Sequence, residues 1–187
     1  MSRVVLIYGS QYGSTERYAH WIAEELSQAG VQTEVVAASD ISPSLLAEAD
    51  MVVAGLSDYG GLLTESSELK KLVNQLLAQP LTLFTVSFSG LDGAPQEKLD
   101  GILRKNVGEA LVDHANGIFH FRGALDHTRL SLKHKTVMIG IRSAIAAIPK
   151  KSVANQQMLD SFSQKTVDYS SPEACAPLIQ LVRENLG

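Results

Sequence analysis

The chain predicts a doubly wound α/β sandwich: a parallel sheet of about five strands in the order 2-1-3-4-5, covered by helices on both faces. Three observations predict it. Arg3-Val-Val-Leu-Ile-Tyr8 is a short β-branched and aliphatic run, suited to a strand buried on both faces of a parallel sheet. The period then changes, because Ala19, Ile22, Ala23 and Leu26 recur at helical spacing from Thr15 toward Gly30. Strand and helix patterns go on alternating with short connections, and each crossover must lay its helix on one face or the other.

The elements follow in order. Val31 to Ala37 reads as the second strand, Ser42 to Ala49 as a brief helix with Pro43 near its start, and Asp50 to Leu56 as the third strand. After a loop from Ser57 to Thr64, Leu69, Leu72, Val73 and Leu76 share a helical face, with Glu65 and Glu68 in the first turn where acid suits the helix dipole. Pro80 stops that helix. Leu81 to Ser87 is the fourth strand, Pro95 opens a helix with Leu99, Ile102, Leu103, Val107, Ala110 and Leu111 inward, and Ile118 to Arg122 is the fifth strand.

Composition sets limits. With 187 residues, 45% hydrophobic and 19% charged, residues 1–187 are expected to form a single domain with a substantial core. Sixteen Lys and Arg against twenty Asp and Glu give a net charge of -4, which argues against nucleic acid as a partner. The single cysteine, Cys175, precludes an internal disulfide and reads as a structural thiol in a reducing compartment. Met1-Ser-Arg-Val shows no signal-peptide cleavage pattern, so a cytoplasmic location is expected. The apolar stretch from Val137 to Pro149 is interrupted by Arg142 and too short to span a membrane.

The functional centre is expected at Tyr8 to Thr15, between the first strand and the first helix. Gly9, Ser10, Gln11, Gly13, Ser14 and Thr15 bring backbone amides and hydroxyls to a helix N-terminus, the makings of a phosphate site. An ordinary capped turn has the same ingredients. A Walker loop would need Lys before the Ser/Thr, and the dinucleotide fingerprint G-x-G-x-x-G is absent. In the predicted strand order the switch point lies between the first and third strands, which gathers this loop with Ser57 to Gly61, while Ser87 to Gly93 closes the other side.

Ser10-Gln11-Tyr12-Gly13-Ser14-Thr15 after a first strand resembles the flavodoxin signature. Gly55 to Gly60, Phe84 to Phe88 and Phe121 to Leu125 resemble the flavodoxin-like branch that includes menaquinone-linked protoporphyrinogen IX dehydrogenase. The resemblance implies FMN as cofactor, its phosphate in the loop from Ser10 to Thr15. Its ring would lie among Ser57, Asp58, Tyr59, Gly60 and Gly61 on one side and Ser87, Phe88, Ser89 and Gly90 on the other. Tyr59 and Phe88 are the candidate stacking residues. The resemblance also implies a peptide at Tyr59, Gly60 or Gly61 that reorients as the flavin is reduced. Asp58 and Asp92 are expected to flank the ring and disfavour its reduced anion.

After Leu125 the chain departs from a short electron carrier, because Asp126 to Asp168 intervenes before a final helix from Ser171/Pro172 to Leu186. Val137, Ile141, Ala144, Ile145 and Ile148 share one helical face there, beside Lys133, Lys135, Arg142, Lys150 and Lys151. A lid over the flavin, a docking site for a carboxylated or quinone substrate, an interfacial membrane helix through 133–151, and a helix packed on the domain edge are the four readings. His114, His120, His127 and His134 show no metal spacing, His20 reads as a surface residue, and His127 and Arg129 lie where a strand-end loop reaches the site.

The expectation is an FMN-binding oxidoreductase or electron-transfer protein with a quinone, a porphyrinogen or a protein as redox partner, and no assigned catalytic side chain or metal. Other readings share the fold. An NAD(P)H:quinone reductase would carry an Arg-containing phosphate loop, where this chain has Gln11 and Tyr12. A phosphoacceptor receiver would need an acidic pair after the first strand, where Gly9-Ser10 stand. A flavin-free interaction module would fail to bind FMN.

Overall fold

The computed structural model describes residues 2–187. Strand β1 (Arg3–Gly9) leads into helix α1 (Ser14–Gln28), and β2 (Gln32–Ala37), α2 (Pro43–Ala47) and β3 (Met51–Tyr59) follow. Next come β4 (Leu62–Leu63), α3 (Ser66–Lys71), α4 (Val73–Leu77), β5 (Leu81–Ser87), the short turn α5 (Gly90–Gly93), α6 (Gln96–Val107), α7 (Glu109–His114) and β6 (Gly117–Arg122). The chain ends with β7 (Ala124–Asp126), α8 (Leu132–Ala146), α9 (Val153–Ser161), β8 (Thr166–Asp168) and α10 (Ala176–Leu186).

The five parallel strands run in the order β2-β1-β3-β5-β6, the order the sequence predicts, with β4 added antiparallel to the end of β3. Alternation along the strands feeds two cores. Val5, Ile7, Val52, Ala54, Leu81 and Leu83 pack with Leu46, Leu69, Leu76, Leu103 and Leu111 of the helices on one face. Val4, Leu6, Val53, Phe84 and Val86 pack with Tyr18, Ile22 and Leu26 of α1 and Leu178 and Val182 of α10 on the other. The inner strands β1 and β3 are therefore apolar on both faces and lack a polar alternation, whereas the edge strand β2 exposes Gln32 and Glu34.

Several expectations need correcting. The third strand does not stop at Leu56 but continues to Tyr59 and turns through Gly60-Gly61 into β4, so much of the expected 57–64 loop is a hairpin. The helix expected around Leu69 to Leu76 is broken at Leu72, and Glu65 sits before it in the left-handed region at φ 59°. Gly108, at φ 99°, divides the helix expected after Pro95 into α6 and α7 and leaves Ala110 exposed.

The segment from Asp126 to Asp168 is helical as expected, but a strand pair encloses it: β7 and β8 run antiparallel, with Leu125 opposite Val167. Its helix α8 faces inward through His134, Met138, Ile141 and Ile145, whereas Val137, Ala144 and Ile148 are exposed. The inward face lies about half a turn-step from the expected one, because His134 and Met138 belong to it. No helix among the described residues is long and apolar enough to cross a membrane.

Candidate functional site

Three turns meet at the carboxyl end of the sheet, where a doubly wound sheet binds its ligands. The first joins β1 to α1. Gly13 takes the left-handed conformation at φ 96° directly before α1, and no side chain caps that helix. Its first-turn amides are thus without a side-chain acceptor. Ser10 Oγ accepts from Gly13 N–H at 3.0 Å, and Ser14 Oγ accepts from Ala124 N–H at 3.1 Å, which ties the turn to β7 while leaving both hydroxyl protons free to donate. The Thr15 hydroxyl is fully buried and has no hydrogen-bond partner among the described residues.

The second turn is the β3–β4 hairpin. Ser57 Oγ donates to Thr64 Oγ1 at 2.8 Å, and Asp58 Oδ1 accepts from Gly61 N–H at 2.8 Å. Burial raises the Asp58 pKa, and the Gly61 N–H partly offsets the effect. Asn106 of α6 holds the hairpin from outside, donating to the Gly61 carbonyl at 3.0 Å and accepting from Leu63 N–H at 3.1 Å. The third turn follows β5, where Ser87 Oγ accepts from Gly90 N–H at 2.9 Å.

These turns enclose a cavity of about 350 Å³. Ser10, Tyr12, Ser14, Ser57, Asp58, Tyr59, Gly60, Gly61, Ser87, Phe88, Ser89 and Gly90 line it; Gln11, Gly13 and Thr15 do not. Gln11 points to solvent, while Thr15 lies buried beneath the turn. Sequence reasoning did not assign eight other lining residues to the site: Lys98 and Ile102 from α6, Gly123 to Leu125, and Met138, Ile141 and Met158 from the insertion. The looseness of the motif after Leu125 concealed the last three, which helical spacing could have placed.

The insertion closes over the cavity through an aromatic cluster. His134 stacks on Tyr59 at 4.9 Å between centroids and 10° between planes, and its Nδ1 is 2.7 Å from the Tyr12 hydroxyl. That hydroxyl also accepts from Ser131 N–H at 3.1 Å, just before α8. Tyr12 and Tyr59 meet edge to face at 5.3 Å. Burial raises the Tyr59 pKa, so the phenol stays protonated. Opposite, Phe88 meets Tyr169 edge to face at 5.4 Å.

Some expected roles are not supported by position. Asp92 points away from the cavity and pairs with Arg122 at 2.9 Å, an ion pair that draws it to the end of β6. The ring of His127 meets Phe162, and its Nε2 lies 3.3 Å from Ser161 Oγ, outside the cavity lining. Arg129 reaches only the Tyr12 carbonyl, at 3.5 Å. His120 is buried between Thr85 Oγ1 at 2.6 Å and Asp100 Oδ1 at 2.8 Å, a satisfied core histidine. No three His, Cys, Asp or Glu side chains gather as a metal site among the described residues. Cys175 is buried and free, its thiol pKa pushed up to about 12 by burial.

The family model described as "Flavodoxin domain" matches residues 5–152, most of the chain. The chain belongs to the flavodoxin domain family. Solved structures similar to it include a flavodoxin from the domain Archaea, 16% identical over 84% of this chain and 94% of that one, with a TM-score of 0.46. Another is the two-electron reduced Megasphaera elsdenii flavodoxin, 20% identical over 62% of this chain and 80% of that one, with a TM-score of 0.46. The flavodiiron protein of Giardia intestinalis is 13% identical over 99% of this chain, which matches 38% of its length, with a TM-score of 0.44. The flavodoxin match ends at Ser152, so α9, β8 and α10 lie beyond it.

A flavin mononucleotide makes two demands of a site, one at its phosphate and one at its ring. A phosphate needs donors at a helix N-terminus, and α1 supplies uncapped amides, two hydroxyls with free protons and, beneath them, an unpartnered Thr15 hydroxyl. A buried hydroxyl without a partner costs about 1–3 kcal/mol, a penalty that rearrangement around a bound anion can remove. A flat heteroaromatic ring needs apolar and aromatic walls with a few polar edges, and Tyr59, Phe88, Leu125, Met138 and the hairpin provide them. The residues present fit the group.

Proposed function

We propose that this chain binds FMN in the cavity between the α1 turn, the β3–β4 hairpin and the β5 turn, and acts as an FMN-dependent oxidoreductase. The observation that carries the reading is the convergence of an uncapped helix N-terminus and two aromatic-flanked turns on one cavity of about 350 Å³. Ser10, Ser14 and the amides after Gly13 would hold the phosphate, and the Thr15 hydroxyl beneath the turn would join them once the turn rearranges around the anion. Tyr59 and Phe88 would flank the ring, and the turns at Gly60-Gly61 and Ser87 to Gly90 would meet its polar edge. Bound FMN would supply the electron-accepting ring, which no lining side chain provides.

The protein's own contribution is position and exclusion of water. Gly61 is held at its N–H by Asp58 and at its carbonyl by Asn106, so reorientation of the hairpin falls to Gly60, which lacks such anchors. Asp58, half-enclosed and bonded to that turn, would bring negative charge close to the ring and disfavour its reduced anion. The insertion supports an enzyme over an open electron shuttle, because Met138, Ile141 and Met158 cover the cavity where a shuttle would present a bare ring edge. A quinone or a porphyrinogen is the substrate class to test first, in keeping with the resemblance to the protoporphyrinogen dehydrogenase branch.

The test is reconstitution with FMN, followed by flavin fluorescence quenching and the visible spectrum. Stoichiometric binding is expected, weakened about tenfold in Thr15→Val while the unliganded variant is as stable as the parent or slightly more so. A folded protein that leaves FMN fluorescence unquenched would sink the proposal. With FMN bound, the rate of bleaching by NADH or NADPH against re-oxidation by a quinone separates a pyridine-nucleotide reductase from a quinone-linked dehydrogenase.

A further inference from the structure

The outer side of α8 carries a surface that the cavity does not use. From His127 to Leu159 the chain has six cations, Arg129, Lys133, Lys135, Arg142, Lys150 and Lys151, and no carboxylate. The other ten cations lie among all twenty carboxylates, so this segment stands at +6 on a body at -10. None of the six forms an ion pair among the described residues. A segment merely packed on the edge of an acidic body would be expected to pair some of them.

Exposure follows the same division. Five of the seven large apolar side chains that stand exposed belong to this segment, and the other two, Leu62 in β4 and Leu91 in α5, sit at the same end of the sheet. On α8 the inward line is His134, Met138, Ile141 and Ile145. Leu132 and Ile139, 84% and 64% exposed, lie two turns apart on the opposite line, with Thr136 and Ser143 beside them. Helical spacing sets Lys133 on one flank of that line and Lys135 and Arg142 on the other. Val153, 77% exposed, follows directly on Lys150, Lys151 and Ser152.

We propose that this face docks on the surface of an anionic lipid bilayer, with α8 lying in the interface. A row of apolar side chains flanked by lysines suits the boundary between headgroups and acyl chains, where the lysine stems lie along apolar surface and the ammonium groups reach lipid phosphates. An acidic protein partner would satisfy the charge, but a bilayer also takes up the exposed Leu132 and Ile139 without needing a shaped counterpart. The charge division also orients the molecule: an anionic surface attracts the insertion and repels the body, so the cavity end faces the bilayer. The inference rests on charge and exposure and stands whether or not FMN binds.

The full chain would be spun with vesicles of phosphatidylcholine alone and of phosphatidylcholine with about 30% phosphatidylglycerol. Partitioning at least about tenfold stronger onto the anionic vesicles is expected, with release as salt is raised. Leu132→Glu/Ile139→Glu and Lys133→Glu/Lys135→Glu should each cut the anionic partition about tenfold, with circular dichroism and FMN quenching unchanged. No partition by a folded parent, or equal partition onto both vesicles, overturns the proposal. So does a parent that self-associates through this face, dispersed by Leu132→Glu/Ile139→Glu, while ignoring anionic vesicles.

Discussion

The sheet body and the insertion are stabilised differently, and the difference shows where the molecule can move. The body has two extensive cores, one on each face of the sheet, filled by strand residues that helices cover from outside. The insertion's apolar cluster has only Leu130 and Met138 buried beside Leu125 at its root, and is completed by Tyr12, Tyr59 and Phe88, which are walls of the cavity. Elements with few buried apolar contacts open at lower free energy than the global core. The insertion therefore owes its order to the site that it covers, and the site owes its closure to the insertion.

The largest effect that would sharpen this comparison lies in the body. Gly55 pairs with Tyr8 and Phe84 in the middle of the sheet, and a Cβ added there would fall 1.9 Å from Phe84 Cζ. Phe84 has no room to yield, because it is buried against Phe121 at 5.5 Å between centroids. Gly55→Ala should cost about 3 kcal/mol or more in global stability. Urea denaturation measures it. A midpoint within error of the parent would mean that the body core is as adaptable as the insertion's, and the contrast would be gone.

A smaller effect is expected at the joint between the two regions. Tyr12→Phe removes the hydroxyl that meets His134 Nδ1 and accepts from Ser131 N–H. The loss should be about 1–2 kcal/mol and local. It would appear as roughly tenfold faster proteolysis within residues 127–165, with the urea midpoint of the body unmoved. A parallel fall in that midpoint would show that insertion and body unfold as one unit.

The same contrast governs what could be read in the sequence. The strand order and the α1 turn were legible because buried parallel strands are near-continuous apolar runs, and because Gly13-Ser14-Thr15 marks a helix start. The extension of β3 to Tyr59 was hidden, since Ser57 and Asp58 read as loop residues and their strand conformation depends on β4 and on Asn106, distant in sequence. The inward face of α8 was misread for a related reason. Val137 and Ile148 are more hydrophobic than His134, but His134 turns inward because Tyr12 and Tyr59 offer it a hydrogen bond and a stacking face. Asp92 was assigned to the cavity by its loop alone, and its partner Arg122 lies a strand away.

The smallest predicted effect repeats the Gly55 substitution in the other region. Gly140 lies mid-way along α8, exposed, with nothing within 4 Å of an added Cβ. Alanine is favoured over glycine in a helix interior by about 0.5–1 kcal/mol, and here no packing opposes it. Gly140→Ala should therefore slow amide exchange across Leu132 to Ala146 by a few-fold and leave the global urea midpoint unchanged. If closure over the cavity is limited by the order of α8, the same variant should also slow FMN dissociation, because a more persistent helix keeps His134 on Tyr59 and Met138 over the cavity for longer. Slower exchange without slower dissociation would separate the two: α8 would be stabilised as a helix, while release of the cofactor would be controlled by the hairpin or the α1 turn.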